Sequence, residues 1–154
     1  MSDAKRAMMR HFLATLAYRA RKTIVGAPAD FAVFDGAGKT PSAILSHMGD
    51  LLAWSITWFT EPRWKKAEVG SWDENVTRFF TLLKELDALL ASDAQVRGYN
   101  DERMMQGPLA DAMTHVGQLA MLRRLAGAPT APENFAEAVV TIGDVSAPSS
   151  TRTA

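Results

Sequence analysis

The sequence predicts an all-α protein: a four-helix bundle with a long first connection and a short irregular C-terminal tail. Three observations carry this. Four segments repeat apolar residues at three- and four-residue steps, helix start and stop signals bracket them, and only residues 138–142 (Ala-Val-Val-Thr-Ile) have a strand-like composition. A chain of 154 residues, 47% hydrophobic and 22% charged, suits one domain with one core. That domain is expected over residues 1–145, and the composition of 146–154 (SAPSSTRTA) suggests a disordered tail.

In the first segment Met9, Phe12, Leu13, Leu16, Ala20 and Ile24 share one helical face, and Val25-Gly26-Ala27-Pro28 stops it. The connection over 26–40 contains Gly26, Pro28, Gly36 and Gly38 and is long for a compact bundle; such loops are functional or cross the bundle end. Thr40 followed by Pro41 starts the second helix, a hydroxyl cap and then a ring already set at the helical φ. Its apolar face runs from Ile44 through Leu45, Met48, Leu51 and Leu52 to Trp58 and Phe59, and Glu61-Pro62 ends it.

Ser71 with Glu74 three residues on is a capping box for the third helix, whose apolar residues run from Val76 to Leu90. Residues 92–100 are polar and broken by Gly98, the composition of a turn. Gly107-Pro108 is expected to open the fourth helix, which carries Leu109, Ala112, Val116, Leu119, Leu122 and Leu125 and closes at Gly127. Arg123 and Arg124 fall in its last turn, where positive charge complements the helix dipole.

Composition narrows function. Seventeen basic residues balance seventeen acidic ones, so there is no overall electrostatic case for nucleic acid or an anionic membrane. With no cysteine there is no disulfide, thiol nucleophile, thiolate zinc site or iron–sulfur cluster. Lys5, Arg6 and Arg10 interrupt the apolar positions near the start, which therefore lacks a signal-peptide core, and no apolar run approaches the ~20 residues of a membrane span. A cytoplasmic location is expected. A transition metal could be held only by carboxylates and the three histidines.

Asp111 and His115 are four apart on the fourth helix, which puts both side chains on one face. His47 holds a comparable place on the second helix, with Leu51, Trp54 and Trp58 on the same side. If those helices are neighbours, two imidazoles and one carboxylate meet, with coordination positions left for water or substrate. The alternative for Asp111 and His115 is a helix-surface pair worth a few tenths of a kcal/mol. His11 shares a face with Thr15, Tyr18 and Lys22, away from the apolar stripe, and reads as solvated. Trp54 and Trp58 either line a pocket beside His47 or pack in the core, while Trp64 and Trp72 are expected to seal the bundle end. The run Gly36-Ala37-Gly38-Lys39-Thr40 lacks the first glycine and the preceding strand of a phosphate loop.

The segment Pro41-Ser42-Ala43-Ile44-Leu45-Ser46-His47-Met48, with His115-Val116-Gly117-Gln118-Leu119 and Leu122-Arg123-Arg124-Leu125-Ala126-Gly127, resembles the DinB/YfiT-like metalloenzyme superfamily. Trp72 and Leu86-Asp87-Ala88-Leu89-Leu90 extend the resemblance over the whole bundle. Such proteins place one histidine on the second helix and two more, four apart, on the last, within a segment like H-x-x-x-H-R-G-Q. The resemblance makes His47 and His115 metal ligands; Asp111 replaces the first histidine of the pair and Val116 the arginine. It implies a divalent transition ion (zinc, nickel, iron or manganese) and a small-molecule substrate. An exogenous low-molecular-weight thiol, mycothiol or bacillithiol, serves some members.

Gln118 is placed to orient a ligand or bound water. The expected function is a metal-dependent S-transferase, isomerase or hydrolase; the alternative is a non-catalytic bundle acting by binding or dimerisation, metal-free or with a structural ion. A homodimer is the expected assembly.

Overall fold

The computed structural model describes residues 1–36, 38–60 and 63–149. Helix α1 spans Asp3–Ile24, α2 Pro41–Thr57, α3 Trp72–Ala91, α4 Asp101–Met104 and α5 Ala110–Leu125. A π-helical turn, Met105–Leu109, joins α4 to α5, so the two form one rod and the bundle has four. No strand occurs among the described residues. No helix there is long and apolar enough to cross a membrane.

Helix α1 starts earlier than its apolar stripe because Ser2 caps it, its hydroxyl accepting from the Lys5 amide at 3.4 Å. Thr40 caps α2 as expected, accepting from the Ala43 amide at 3.2 Å. Helix α2 ends at Thr57: Trp58 and Phe59 continue only as a tighter turn, their amides bonding to Ser55 and Ile56 three residues back. The expected terminator Glu61-Pro62 lies outside the described residues. At α3 the capping box is complete, with Glu74 N donating to Ser71 Oγ at 3.3 Å and Ser71 N donating to Glu74 Oε2 at 2.8 Å. Ser71→Ala is therefore expected to cost about 1 kcal/mol in urea denaturation, with no change in the apolar core.

The fourth rod corrects the sequence reading. It begins at Asp101, capped by Asn100, whose side chain accepts from the Arg103 amide at 3.0 Å. Pro108 lies inside the rod. Proline cannot donate the i→i−4 hydrogen bond and its ring crowds the preceding turn, and the wider π turn accommodates both effects.

Helices α2 and α3 make the most extensive pair, and α1 packs on α3 and α5 while α2 packs on α5. Around the bundle the order is therefore α1, α3, α2, α5, which leaves α1 and α2 on a diagonal. The long first connection follows from this: it crosses the bundle end, where Phe31 is buried and meets Trp72 edge to face at 5.7 Å. Leu13, Leu16, Leu45, Met48, Leu52, Phe79 and Leu83 are fully enclosed at the centre.

The tail straps α1. Tyr18 and Lys22 donate to Glu133, Arg21 pairs with Asp144 at 2.9 Å, and Val145 is buried in the core. The strand-like run 138–142 forms no strand: Val139 is 86% exposed, and no neighbouring strand receives its backbone groups. Of the stretch expected to be disordered, Ser146 is tied down through its carbonyl by Arg21 at 2.8 Å, and 150–154 lie outside the described residues.

Candidate metal centre

Because α2 and α5 are neighbours, His47 on α2 comes to face Asp111 and His115 on α5. The π turn ends two residues before Asp111, so the rod's register is reset just ahead of the site. One donor atom from each of the three residues lies within 4.8 Å of the other two. Asp111 Oδ1 is 3.4 Å from His115 Nε2, and Oδ2 is 3.8 Å from His47 Nε2. Both separations exceed an ordinary N–H···O hydrogen bond, so the cluster converges without being bonded to itself. The imidazole rings meet edge to face, 4.8 Å between centroids.

His115 is buried and its orientation is fixed. Its Nδ1 donates to Gln118 Oε1 at 2.7 Å, which leaves the Nε2 lone pair turned toward Asp111. A metal-binding histidine is normally held this way through its second nitrogen. His47 is half-buried; its burial, with the neighbouring His115, pushes its pKa below the ordinary histidine range. At neutral pH it therefore offers a lone pair and not a charge.

The donor set fits a divalent transition ion. With bonds of about 2.0–2.2 Å, a four-coordinate ion holds its ligand atoms about 3.4 Å apart, close to the two carboxylate separations. The three donor atoms all lie within 4.8 Å of one another, so the side chains would have to draw together to close on the same centre.

The site opens into a cleft. One lobe of about 320 Å³ is lined by His47, Asp50, Leu51, Trp54, Trp64 and Lys66. An adjoining lobe of about 170 Å³ reaches His115 and includes Lys39, Ile44 and Lys66. The outer wall is the connection after α2, held at two points. Asp50 accepts from the Ala67 amide at 3.2 Å, and Asn75 donates to the Gly70 carbonyl at 2.9 Å. Asp50 is itself buried and neutralised by Arg78, which donates to it at 2.7 Å and to the Ser46 carbonyl at 3.1 Å.

Arg78 reaches these partners across Gly49, where an added Cβ would fall 2.7 Å from Arg78 Nη1. Gly49→Ala is expected to displace the guanidinium and cost about 1–3 kcal/mol by thermal or urea unfolding, because buried Asp50 loses its partner. Gly117→Ala, on the neighbouring helix with open space at its Cβ, is the control and should be neutral or stabilising.

His11 is exposed on α1 and takes no part, as expected. Gln118 Oε1 lies 2.7 Å from His115 Nδ1, which places it against a candidate donor residue. The tryptophans divide between their two readings: Trp58 is buried, edge to face with Trp54 at 5.1 Å and stacked on Tyr99 at 4.4 Å, whereas Trp54 lines the cleft. Trp72 seals the bundle end through Phe31, but Trp64 does not; it is 42% exposed and forms part of the cleft wall. Asp50, Lys66 and Arg78 carry no signal in the sequence because they sit in a loop or face a neighbouring helix, and Lys39 stands out only in the run that fails as a phosphate loop.

Comparison of the chain with protein-family models, with curated proteins and with solved structures finds no match.

Proposed function

We propose that this chain binds one divalent transition ion through His47, Asp111 and His115 and uses it on a small molecule, as a metal-dependent S-transferase, isomerase or hydrolase. The observation that carries the proposal is the convergence of three unbonded donors from two helices, one of them oriented by Gln118. The resemblance to DinB/YfiT-like proteins, read from the residues around His47 and His115, supports the same assignment.

Bound to two imidazoles and a carboxylate, a zinc-, nickel-, iron- or manganese-type ion is a Lewis acid that lowers the pKa of water or an added thiol toward neutrality. The chain's own residues perform the remaining work. Gln118 fixes the His115 tautomer, burial keeps His47 unprotonated, and the apolar wall of Leu51 and Trp54 excludes water from one side of the cleft. An ion held by these three protein donors would have positions left for water or substrate, and the cleft beside His47 and His115 would give them access. The chain has no cysteine, so any thiol is supplied from outside.

Elemental analysis of protein purified without added metal is expected to show about one divalent ion per chain, and adding that ion to chelator-treated protein is expected to raise Tm. Absence of both stoichiometric metal and a thermal shift would remove the proposal.

A further inference from the structure

The cleft beside the three donors carries two cations with no assigned work. Lys39 and Lys66 both line the lobe that reaches His47 and His115, and Lys66 also lines the adjoining lobe. Both are exposed, and neither has a hydrogen-bond or ion-pair partner among the described residues. They contrast with the other basic residues near a cavity. Arg21, Lys22 and Arg123 line a cavity of about 390 Å³ beside the end of α1, but Asp144, Glu133 and backbone carbonyls already take their charges.

Lys39 precedes the cap of α2, so the positive end of that helix dipole adds to its field. The acid in the same lobe, Asp50, is neutralised by Arg78. The second lobe supplies the opposite chemistry. Trp54, Trp64 and Leu51 form an apolar wall, and Trp54 is braced from behind by Trp58 and Tyr99. Together the lobes have the size of a small-molecule site.

We propose that this cleft takes a small organic carboxylate with a flat apolar body, the carboxylate drawn to Lys39 and Lys66 and the body laid against Trp54 and Trp64. A neutral molecule would gain no attraction from the two exposed ammonium groups, and an organic cation would be repelled by them. The inference rests on the metal reading for where the reacting end of the ligand lies; the lysines and tryptophans stand independently of the ion.

The test is a tryptophan-fluorescence titration of the full chain with phenylacetate and with its neutral amide. It is run on chelator-treated and on zinc-loaded protein, with zinc binding measured separately by calorimetry. Phenylacetate is expected to quench the tryptophan signal and to bind about tenfold more tightly than the amide in both forms. Lys39→Gln and Lys66→Gln are each expected to weaken the acid about three- to tenfold, and the double variant to remove the preference for the acid. Both side chains are exposed, so circular dichroism should confirm an intact fold.

The inference is overturned if the acid does not bind, if the amide binds equally well, or if the preference appears only with zinc and survives the double variant. Failure of zinc to bind, with the acid preference intact in chelator, removes the metal reading and leaves this one. Zinc binding without a lysine-dependent preference does the reverse.

Discussion

His115→Ala is expected to abolish tight binding of a divalent ion while leaving the helical circular-dichroism spectrum unchanged. His115 supplies one of three donors, and its ring is the one held in place from behind by Gln118. Gln118→Ala, which leaves every donor present, is expected to lower affinity by about 10- to 100-fold, the ordinary cost of losing the partner that orients a metal-binding histidine. Asp111→Ala should behave as His115→Ala does. Asp111→Asn keeps an oxygen but removes the charge and is expected to fall between wild type and Asp111→Ala. His11→Ala is the control, since His11 is exposed on α1 and outside the cluster. The order to be measured by competition with a chelating dye is wild type and His11→Ala, then Gln118→Ala, then the donor variants. Equal affinity across the series would show that the cluster is a surface group of polar side chains.

The largest stability effect is expected at Arg123. Its guanidinium is buried and donates to the carbonyls of Thr23, Val25 and Gly26 at 2.9, 3.0 and 2.9 Å, and through Nε to Ala128 at 2.8 Å. The last carbonyls of a helix have no partner within the helix, and here α5 supplies that partner to α1. The charge also sits where the negative end of the α1 dipole points. Burial pushes the pKa of Arg123 down from its ordinary value, but far from enough to discharge it.

Arg123→Met keeps the length and apolar stem and removes every donor, so the carbonyls lose their partners together. A cost of about 3 kcal/mol or more is expected in urea denaturation, with Tm lower by about 10 °C. Arg123→Lys should recover only part of this, because an ammonium cannot span the carbonyls as the planar fork does. A stability within about 0.5 kcal/mol of wild type for Arg123→Met would contradict this role.

The helices were legible because each announces itself locally. Thr40-Pro41 and the Ser71/Glu74 pair state their starts in two to four residues, and the apolar steps that follow match the buried faces of α2 and α3. The start of the fourth rod is not legible for an equally local reason. Pro108 reads as a first-turn residue, and nothing in the sequence distinguishes that from a proline absorbed by a π turn. The role of Arg123 was hidden too: last-turn arginines usually serve their own helix dipole, and this one crosses to the end of α1.

At the candidate centre, the four-residue spacing brought Asp111 and His115 to one face, but the approach of His47 depended on α2 and α5 being neighbours, which no local pattern fixes. The cleft wall was illegible. Trp64 and Lys66 lie in a connection held by Asp50 and Asn75, and those bonds join residues far apart in the chain.

Proton NMR of the chain titrated with cobalt(II) would show whether His47 and His115 ligate the same ion. Cobalt(II) shifts the exchangeable N–H signal of each imidazole that coordinates it far outside the normal range. Two such signals are expected at saturating cobalt(II), one from each histidine. His47→Ala and His115→Ala, whose weakened sites need far more cobalt(II), are each expected to lack the signal of the ring removed and to show at most the other. The His115 signal should exchange more slowly with solvent, because its Nδ1 proton is donated to Gln118. Saturating cobalt(II) that shifts no imidazole signal, or that leaves two shifted signals in either variant, would show that His47 and His115 do not share an ion.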